Sequence, residues 1–301
     1  MTAAADRIQP GAGRSADPRR GTFFLLSLPA AIALTVFLVL PIVFMVALSF
    51  RADLNGTLLA PFAPTFKQYD KLLGTASYWN LLGISTLIAF GVAAIATVLA
   101  YPLAYFLAFR AGKRAGLYLI LLLVPFWTSY LLRVMAWKVL LGSSGAINTF
   151  LLGTGLIDDP LTALLYNRPA VVMTLVYVWI PFAALPILAV LGRIDPKLHE
   201  AAADLYGSPF QQFRRVTLPL SAPGIAAAFL MVFIPTIGEY VTPLLVGGNA
   251  GIMFGNTIED FFTKAANWPL GSALSVIMLS VTLVLVVVGV RVVRPRRFLG
   301  T

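Results

Sequence analysis

Few residues in this chain could do chemistry, and Glu239 is the most informative. It lies in an otherwise apolar run with Pro235, Gly238, Tyr240 and Pro243 around it. A carboxylate at membrane depth is costly unless it is paired, hydrated or facing a cavity. Helix breakers at that depth are tolerated only where the freed backbone groups face protein or water. The run therefore predicts an unwound segment at Glu239. Its carboxylate either lines a pathway, where it could hold an ion, a proton or an ammonium group, or bonds a neighbouring helix or outer loop. Both readings stand open. Tyr240, Trp127 and Tyr130 could add cation–π attraction of about 0.5–2 kcal/mol to a passing cation, although such aromatics also serve as interfacial belts and packing.

Other chemistry is excluded. There is no cysteine and only one histidine, His199, so thiolate chemistry, a zinc site and a histidine-based triad are ruled out. No Gly-x-x-x-x-Gly-Lys-Ser/Thr run is present, so the chain has no P-loop with which to bind or hydrolyse ATP. The net charge of +10 does not point to nucleic acid, because no polar domain exists to carry a basic patch.

The elements that must position Glu239 follow from composition. Hydrophobic residues make up 59% and charged residues 11% of the 301 residues, and mean hydropathy is +0.88; soluble domains carry about 25% charged residues. In lipid, long apolar runs must be helices. The expectation is an all-α membrane protein with about six transmembrane helices: Thr22–Phe50, Leu81–Phe109, Leu117–Leu141, Ala170–Leu191, Ala222–Leu245 and Leu270–Val290. Arginine and lysine concentrate before the first, between the second and third, between the fourth and fifth, and after the sixth. By the positive-inside rule these loops and both termini are cytoplasmic. Residues 1–21 read as a disordered cytoplasmic tail, 22–75 as the first helix and an outer loop, 76–293 as the main transmembrane domain, and 294–301 as a basic cytoplasmic tail. The first apolar run is longer than a signal-peptide core and reads as a retained helix. Arg133 and Lys138, near the outer end of the third helix, are expected to snorkel to headgroups. Gly83, Gly91 and the alanines of the second helix are expected to permit close helix packing. The stretches Ala52–Trp79 and Gly142–Pro169 read as outer loops with short surface helices.

Between the fourth and fifth helices, Asp195–Pro219 is polar yet patterned. Asp195 can cap a helix with Pro196 at its first position, and Gly207 can close it. Ser208 and Pro209 repeat the start signal, with Phe210 and Phe213 on one face, and Pro219 should block continuation. Ala201, Ala202 and Ala203 would let another protein approach closely. Alternatively the segment is an interfacial helix, with Arg214 and Arg215 on lipid phosphates.

The run Glu200-Ala201-Ala202, then Gly207, then Val216-Thr217-Leu218-Pro219, resembles the EAA loop of type I ABC importer permeases. The family pattern places its glycine where this chain has Tyr206, so Gly207 comes one position late. The likeness runs through helices two to six, and Gly238-Glu239-Tyr240 and Asn267-Trp268-Pro269 resemble the spermidine/putrescine branch. The resemblance implies the type I importer transmembrane fold, with cytoplasmic coupling helices between helices four and five. It implies a bacterial inner-membrane permease subunit importing a polyamine or related small cation. It further implies that Glu200, Ala201, Ala202, Leu218, Pro219 and, shifted, Gly207 form the coupling contact with a separate ATPase, and that a bulky residue at Ala202 would uncouple ATP hydrolysis from uptake. Expected partners are ATPase subunits holding ATP and magnesium, a second homologous permease, a periplasmic or extracellular solute-binding protein and the bilayer. No cofactor is expected on this chain. The competing readings are an ATP-independent secondary transporter or channel with Glu239 as its ion or proton site, and a membrane-embedded enzyme, which the lack of clustered nucleophile motifs disfavours.

Overall fold

The computed structural model describes residues 28–52, 64–206 and 208–293. The expected tails at 1–21 and 294–301, and Gly207, lie outside the described residues. Among the described residues every regular element is helical, apart from one isolated bridge between Arg51 and Pro64.

Helix α1, Leu28–Ser49, is apolar enough to cross a membrane. It widens to a π-turn at Thr35–Val39, where the Leu40 N–H bonds back to the Thr35 carbonyl, and Pro41 follows.

The second unit starts at Ser49. Its elements are α2 (Lys67–Gly74), α3 (Ala76–Phe109), α4 (Ala115–Leu123), α5 (Tyr130–Leu141), α6 (Ala146–Gly153), α7 (Arg168–Leu191), α8 (Pro196–Leu205), α9 (Pro209–Ile237), α10 (Phe254–Thr263) and α11 (Trp268–Val293). Helices α3, α7, α9 and α11 each meet the length and hydropathy of a membrane span. The expected outer-loop helices are present as α2 and α6.

Helices α3, α7 and α9 form the core. Ala89, Ala93, Ala96, Ala100 and Ala104 give α3 a buried small-residue seam, which packs with Val171, Leu175, Ala183, Ala184 and Ile187 of α7 and Ala228 and Val232 of α9. Lipid is as apolar as these side chains, so association depends on close backbone approach and van der Waals contact, which alanine permits. The alanines, not the glycines, do this in α3: a Cβ added at Gly83 or Gly91 would meet nothing within 4 Å. A second cluster joins Leu72 of α2, Leu82 of α3, Phe254 of α10 and Leu270 and Leu274 of α11.

Three expectations about the spans are corrected. The third is not one helix over Leu117–Leu141. Gly112–Trp127 and Tyr130–Gly153 are bent by 85° across Thr128 and Ser129, whose backbones are extended. Pro125 has no N–H to donate, and the chain tightens to a 3₁₀ turn over Val124–Trp127 before it breaks. Among the described residues the count is therefore five helices, or six if the bent pair is one span. The fifth span is not Ala222–Leu245 but α9, which begins at Pro209 and ends at Ile237. Pro219 does not end the preceding helix either. The π-turn Phe213–Thr217 carries the Leu218 N–H back to the Phe213 carbonyl, and this wider turn makes room for the ring of Pro219, so the helix runs on despite the missing proline N–H.

Candidate functional site

Two regions carry the predicted functional residues: an unwound segment at one end of α9, and the hairpin that enters its other end.

Helix α9 stops at Ile237, and Gly238, Glu239 and Tyr240 are non-helical as expected. Glu239 is half-buried, and its Oε1 accepts from the Val241 N–H at 2.9 Å and the Thr242 N–H at 3.1 Å. The carboxylate caps the short helical turn that follows, supplying acceptors to donors that have no partner within that turn. Thr242 shares a 2.6 Å hydrogen bond with the Tyr130 hydroxyl, and that hydroxyl lies within electrostatic reach of Glu239. Tyr130, Glu239 and exposed Tyr240 therefore share one neighbourhood. Trp127 is 79% exposed at the break of the third span, and it makes no ring contact with this group among the described residues.

A clamp that sequence reasoning missed holds the unwound segment. The Asn256 amide donates to the Tyr240 carbonyl at 2.7 Å, and its Oδ1 accepts from the Met253 N–H at 3.0 Å. The Phe254 N–H donates to Ser85 Oγ at 2.7 Å, which ties the start of α10 to α3. Gly255 lies so close that a Cβ there would stand 2.7 Å from the carbonyl oxygens of both Gly238 and Glu239. The signal available was Gly255-Asn256 in an apolar stretch: a residue without a side chain beside one that can satisfy freed backbone groups.

Arg133, expected to reach for headgroups, packs on aromatic rings. Its guanidinium lies 4.4 Å from the centroid of Phe126 and 5.9 Å from that of Tyr130. Its Nε and Nη1 are shielded from solvent without a hydrogen-bond partner among the described residues. The bend after Trp127 places the start of α5 against Phe126, so the aromatic face rather than the headgroups receives the charge. Lys138 similarly sits 5.9 Å from the ring of Tyr166.

At the other end, α8 and the start of α9 form the expected hairpin. Asp195 caps α8 through the Lys197 N–H at 2.9 Å, and Ser208 caps α9 through the Gln211 N–H at 3.3 Å. Tyr206 holds the two together: its carbonyl accepts from Gln212 Nε2 at 3.3 Å, and Arg215 lies 5.2 Å from its ring centroid. This accounts for tyrosine at the family's glycine position, since α8 ends there in an extended conformation that needs no glycine.

The three alanines are not equivalent. Ala202 is 3% exposed, whereas Ala201 and Ala203 are exposed. A bulky residue at Ala202 would first disturb the hairpin's own packing, so that position does not report on docking. The outward apolar surface is instead Leu198, Ala201 and Leu205, spaced i, i+3 and i+7 on one face of α8. Glu200 is exposed nearby, and Leu218 and Pro219 are exposed on α9. Phe210 and Phe213 part company: Phe210 is 70% exposed, while Phe213 packs edge-on against Tyr101 and Tyr105. Phe210, Gln211, Arg214 and Arg215 line a cleft of ≈ 420 Å³.

Among the described residues no group of His, Asp and Glu could hold a metal ion, and the site offers apolar, cationic and single-carboxylate contacts.

Comparison with known proteins bears on the fold and the family. The spermidine/putrescine transport system permease protein PotB of Haemophilus influenzae is 36% identical over 247 residues, covering 81% of this chain and 84% of that protein. PotB of Escherichia coli is 34% identical over 243 residues, covering 81% and 87%. The crystal structure of a bacterial ABC transporter involved in import of the acidic polysaccharide alginate contains a chain that superposes with a TM-score of 0.69, at 17% identity, over 94% of this chain and 98% of that one. A second structure of a bacterial alginate transporter, in complex with an alginate pentasaccharide-bound periplasmic protein, superposes equally well at 18% identity, over the same shares of the two chains. The model of the family described as binding-protein-dependent transport system inner membrane component matches residues 19–298, and the chain belongs to that family as a multi-pass permease subunit of an ABC importer.

Proposed function

We propose that the chain passes a small organic cation of the polyamine class across the membrane, and that a separate ATPase drives it by gripping the α8–α9 hairpin. The observation that carries the coupling is the exposed stripe Leu198–Ala201–Leu205 on α8, with exposed Phe210 in the first turn of α9, in a connection that is otherwise polar. An exposed apolar stripe rimmed by charge suits a contact surface, for a protein or for lipid, rather than a solvated turn, and the likeness of the loop to the coupling loop of importer permeases favours the protein. Arginines 193, 214 and 215 belong to the same connection. By the positive-inside rule the hairpin and both termini are cytoplasmic, where an ATPase holding ATP and magnesium would meet it. The chain has no P-loop and would hydrolyse nothing itself. A second permease subunit would complete the pathway, and a solute-binding protein would dock on the opposite side.

The solute class is supported by the PotB relatives and by the cluster of Glu239, Tyr130 and Tyr240. A carboxylate beside two phenol rings offers an ammonium group charge and aromatic faces without holding it tightly. Trp127 would be a further aromatic contact on the way to this cluster.

Because the natural chain has no cysteine, a cysteine at Ala201 gives a unique attachment point. With a photo-cross-linker there, a co-expressed partner ATPase subunit should be captured in membranes. Capture of lipid alone would overturn the coupling reading. In proteoliposomes with ATPase and binding protein, labelled spermidine or putrescine should accumulate with ATP. Uptake that follows an ion gradient and needs no ATPase would replace the proposal with a secondary transporter.

A further inference from the structure

The base of the hairpin makes one set of contacts that neither docking nor the solute pathway uses. Phe213 opens the π-turn of α9, and its ring is edge-on to Tyr101, with centroids 5.7 Å apart at 80°, and to Tyr105, at 6.1 Å and 80°. Tyr105 in turn packs on Phe109 at 5.0 Å. A polar link runs beside the rings. Ser221 Oγ donates to the Leu218 carbonyl at 3.0 Å, which leaves its lone pairs to accept the 2.9 Å hydrogen bond shared with the Tyr101 hydroxyl. The carbonyl at the end of this link belongs to the leucine immediately after the π-turn.

These contacts join two bodies. On one side, Gln212 and Arg215 fasten α8 to the start of α9 through Tyr206. On the other, Tyr101, Tyr105 and Phe109 lie on the last turns of α3, whose buried alanine seam forms the core with α7. A π-turn interrupts the regular ladder of a helix and is a place where helices kink, and such turns recur at functional sites. A push on the hairpin would bend α9 at Phe213–Thr217 and be lost unless something beyond the turn receives it.

We infer that Phe213 is the transmitting residue of this permease: seated between Tyr101 and Tyr105, it passes displacement of the hairpin directly into α3, bypassing the compliant π-turn. It is a positioning residue that touches neither solute nor nucleotide. Edge-to-face pairs hold rings at a set angle as well as a set distance, so the clasp resists both sliding and rotation. The inference rests on the reading that an ATPase grips the hairpin, and the two can fail separately.

The test uses the full importer in proteoliposomes and compares wild type with Phe213→Leu, Phe213→Tyr and Tyr105→Leu. Three quantities are read: ATPase capture from a cross-linker at Ala201, ATP hydrolysis, and solute taken up per ATP. Phe213→Leu should capture ATPase as wild type does and still hydrolyse ATP, while uptake per ATP falls roughly tenfold, the scale of losing two edge-to-face contacts. Phe213→Tyr keeps the ring and should retain most coupling. Tyr105→Leu removes one of the two edge-to-face contacts and should lose part of the coupling, roughly threefold, while adding little in the Phe213→Leu background. Normal uptake per ATP in Phe213→Leu overturns the inference and leaves the docking reading intact. Absence of capture in the wild type overturns the docking reading and this inference with it. If Phe213→Leu does not accumulate in membranes, Tyr105→Leu decides alone: normal coupling there overturns the inference.

Discussion

Replacing Gly255 with alanine tests whether the break in α9 is a built structure or a slack loop. The added Cβ would lie 2.7 Å from the carbonyl oxygens of Gly238 and Glu239 and 3.1 Å from the Glu239 carbonyl carbon. Ordinary contact begins at roughly 3.5–4.0 Å, and all three atoms are backbone, so no side chain can rotate away. The start of α10 must retreat. Two hydrogen bonds depend on its present position, Asn256 to the Tyr240 carbonyl and the Phe254 N–H to Ser85 Oγ. Overpacking costs about 1–3 kcal/mol, and each buried hydrogen bond that is stretched or lost adds about 1 kcal/mol. The expected loss is about 3–5 kcal/mol, which lowers a melting temperature by roughly 5–10 °C in a chain of this size. The assay is thermal unfolding of the purified subunit in detergent, with Gly91→Ala as control, since a Cβ there meets nothing. If Gly255→Ala melts with wild type, or if Gly91→Ala loses as much, the close approach of α10 to the unwound segment is refuted.

Other outcomes follow from the same contacts. Glu239→Gln keeps an acceptor oxygen for the Val241 and Thr242 amides, so it should fold and melt within about 1 kcal/mol of wild type while solute uptake falls. Unchanged uptake would reduce Glu239 to a cap. Phe126→Leu should destabilise by about 1–2 kcal/mol, because it strips the nearer of two aromatic faces from a guanidinium whose Nε and Nη1 have no hydrogen-bond partner among the described residues. Arg133→Met should be neutral or stabilising, since an apolar chain of similar length replaces an uncompensated charge, and the reverse order of the two melting temperatures would refute the stacking argument. Asp260 holds the Lys264 ammonium charged above its ordinary pKa. That contribution is present below the lysine's ordinary value and is lost only as pH rises past it. The pair is solvent-exposed, so Asp260→Asn should leave the melting temperature unchanged between pH 6 and 9.

Helices, their approximate spans and the capped hairpin were legible because each rests on local chemistry. Hydropathy over some twenty residues marks a span, and Asp195-Pro196 and Ser208-Pro209 mark helix starts wherever they occur. Features set by contact across sequence were not legible. That Ala202 turns inward while Ala201 turns outward depends on where α9 lies, and three consecutive alanines carry no mark of it. Arg133 looked like a headgroup anchor because the reading assumed a straight third helix. Once the span bends at Thr128, the nearest acceptor of its charge is Phe126. Gly83 and Gly91 looked like packing positions by residue type alone, yet in this fold the alanines around them carry the contact.

The misreading of Pro219 has a physical cause that applies twice in this chain. Proline inside a helix removes a donor and collides with the carbonyl four residues back, so a break is the ordinary expectation. In α1 and in α9 a π-turn ends just before a Leu-Pro pair, Leu40-Pro41 and Leu218-Pro219, and in each the leucine N–H reaches five residues back. Shifting the register by one residue there opens room for the ring and leaves no N–H wanting. The helix continues at the cost of a compliant turn. In α9 that turn falls between the hairpin and the rest of the membrane-spanning helix, so under the proposed coupling the proline that keeps the two continuous also calls for a second, stiffer path between them. Phe213, at the first position of the turn and packed on α3, is placed to provide it.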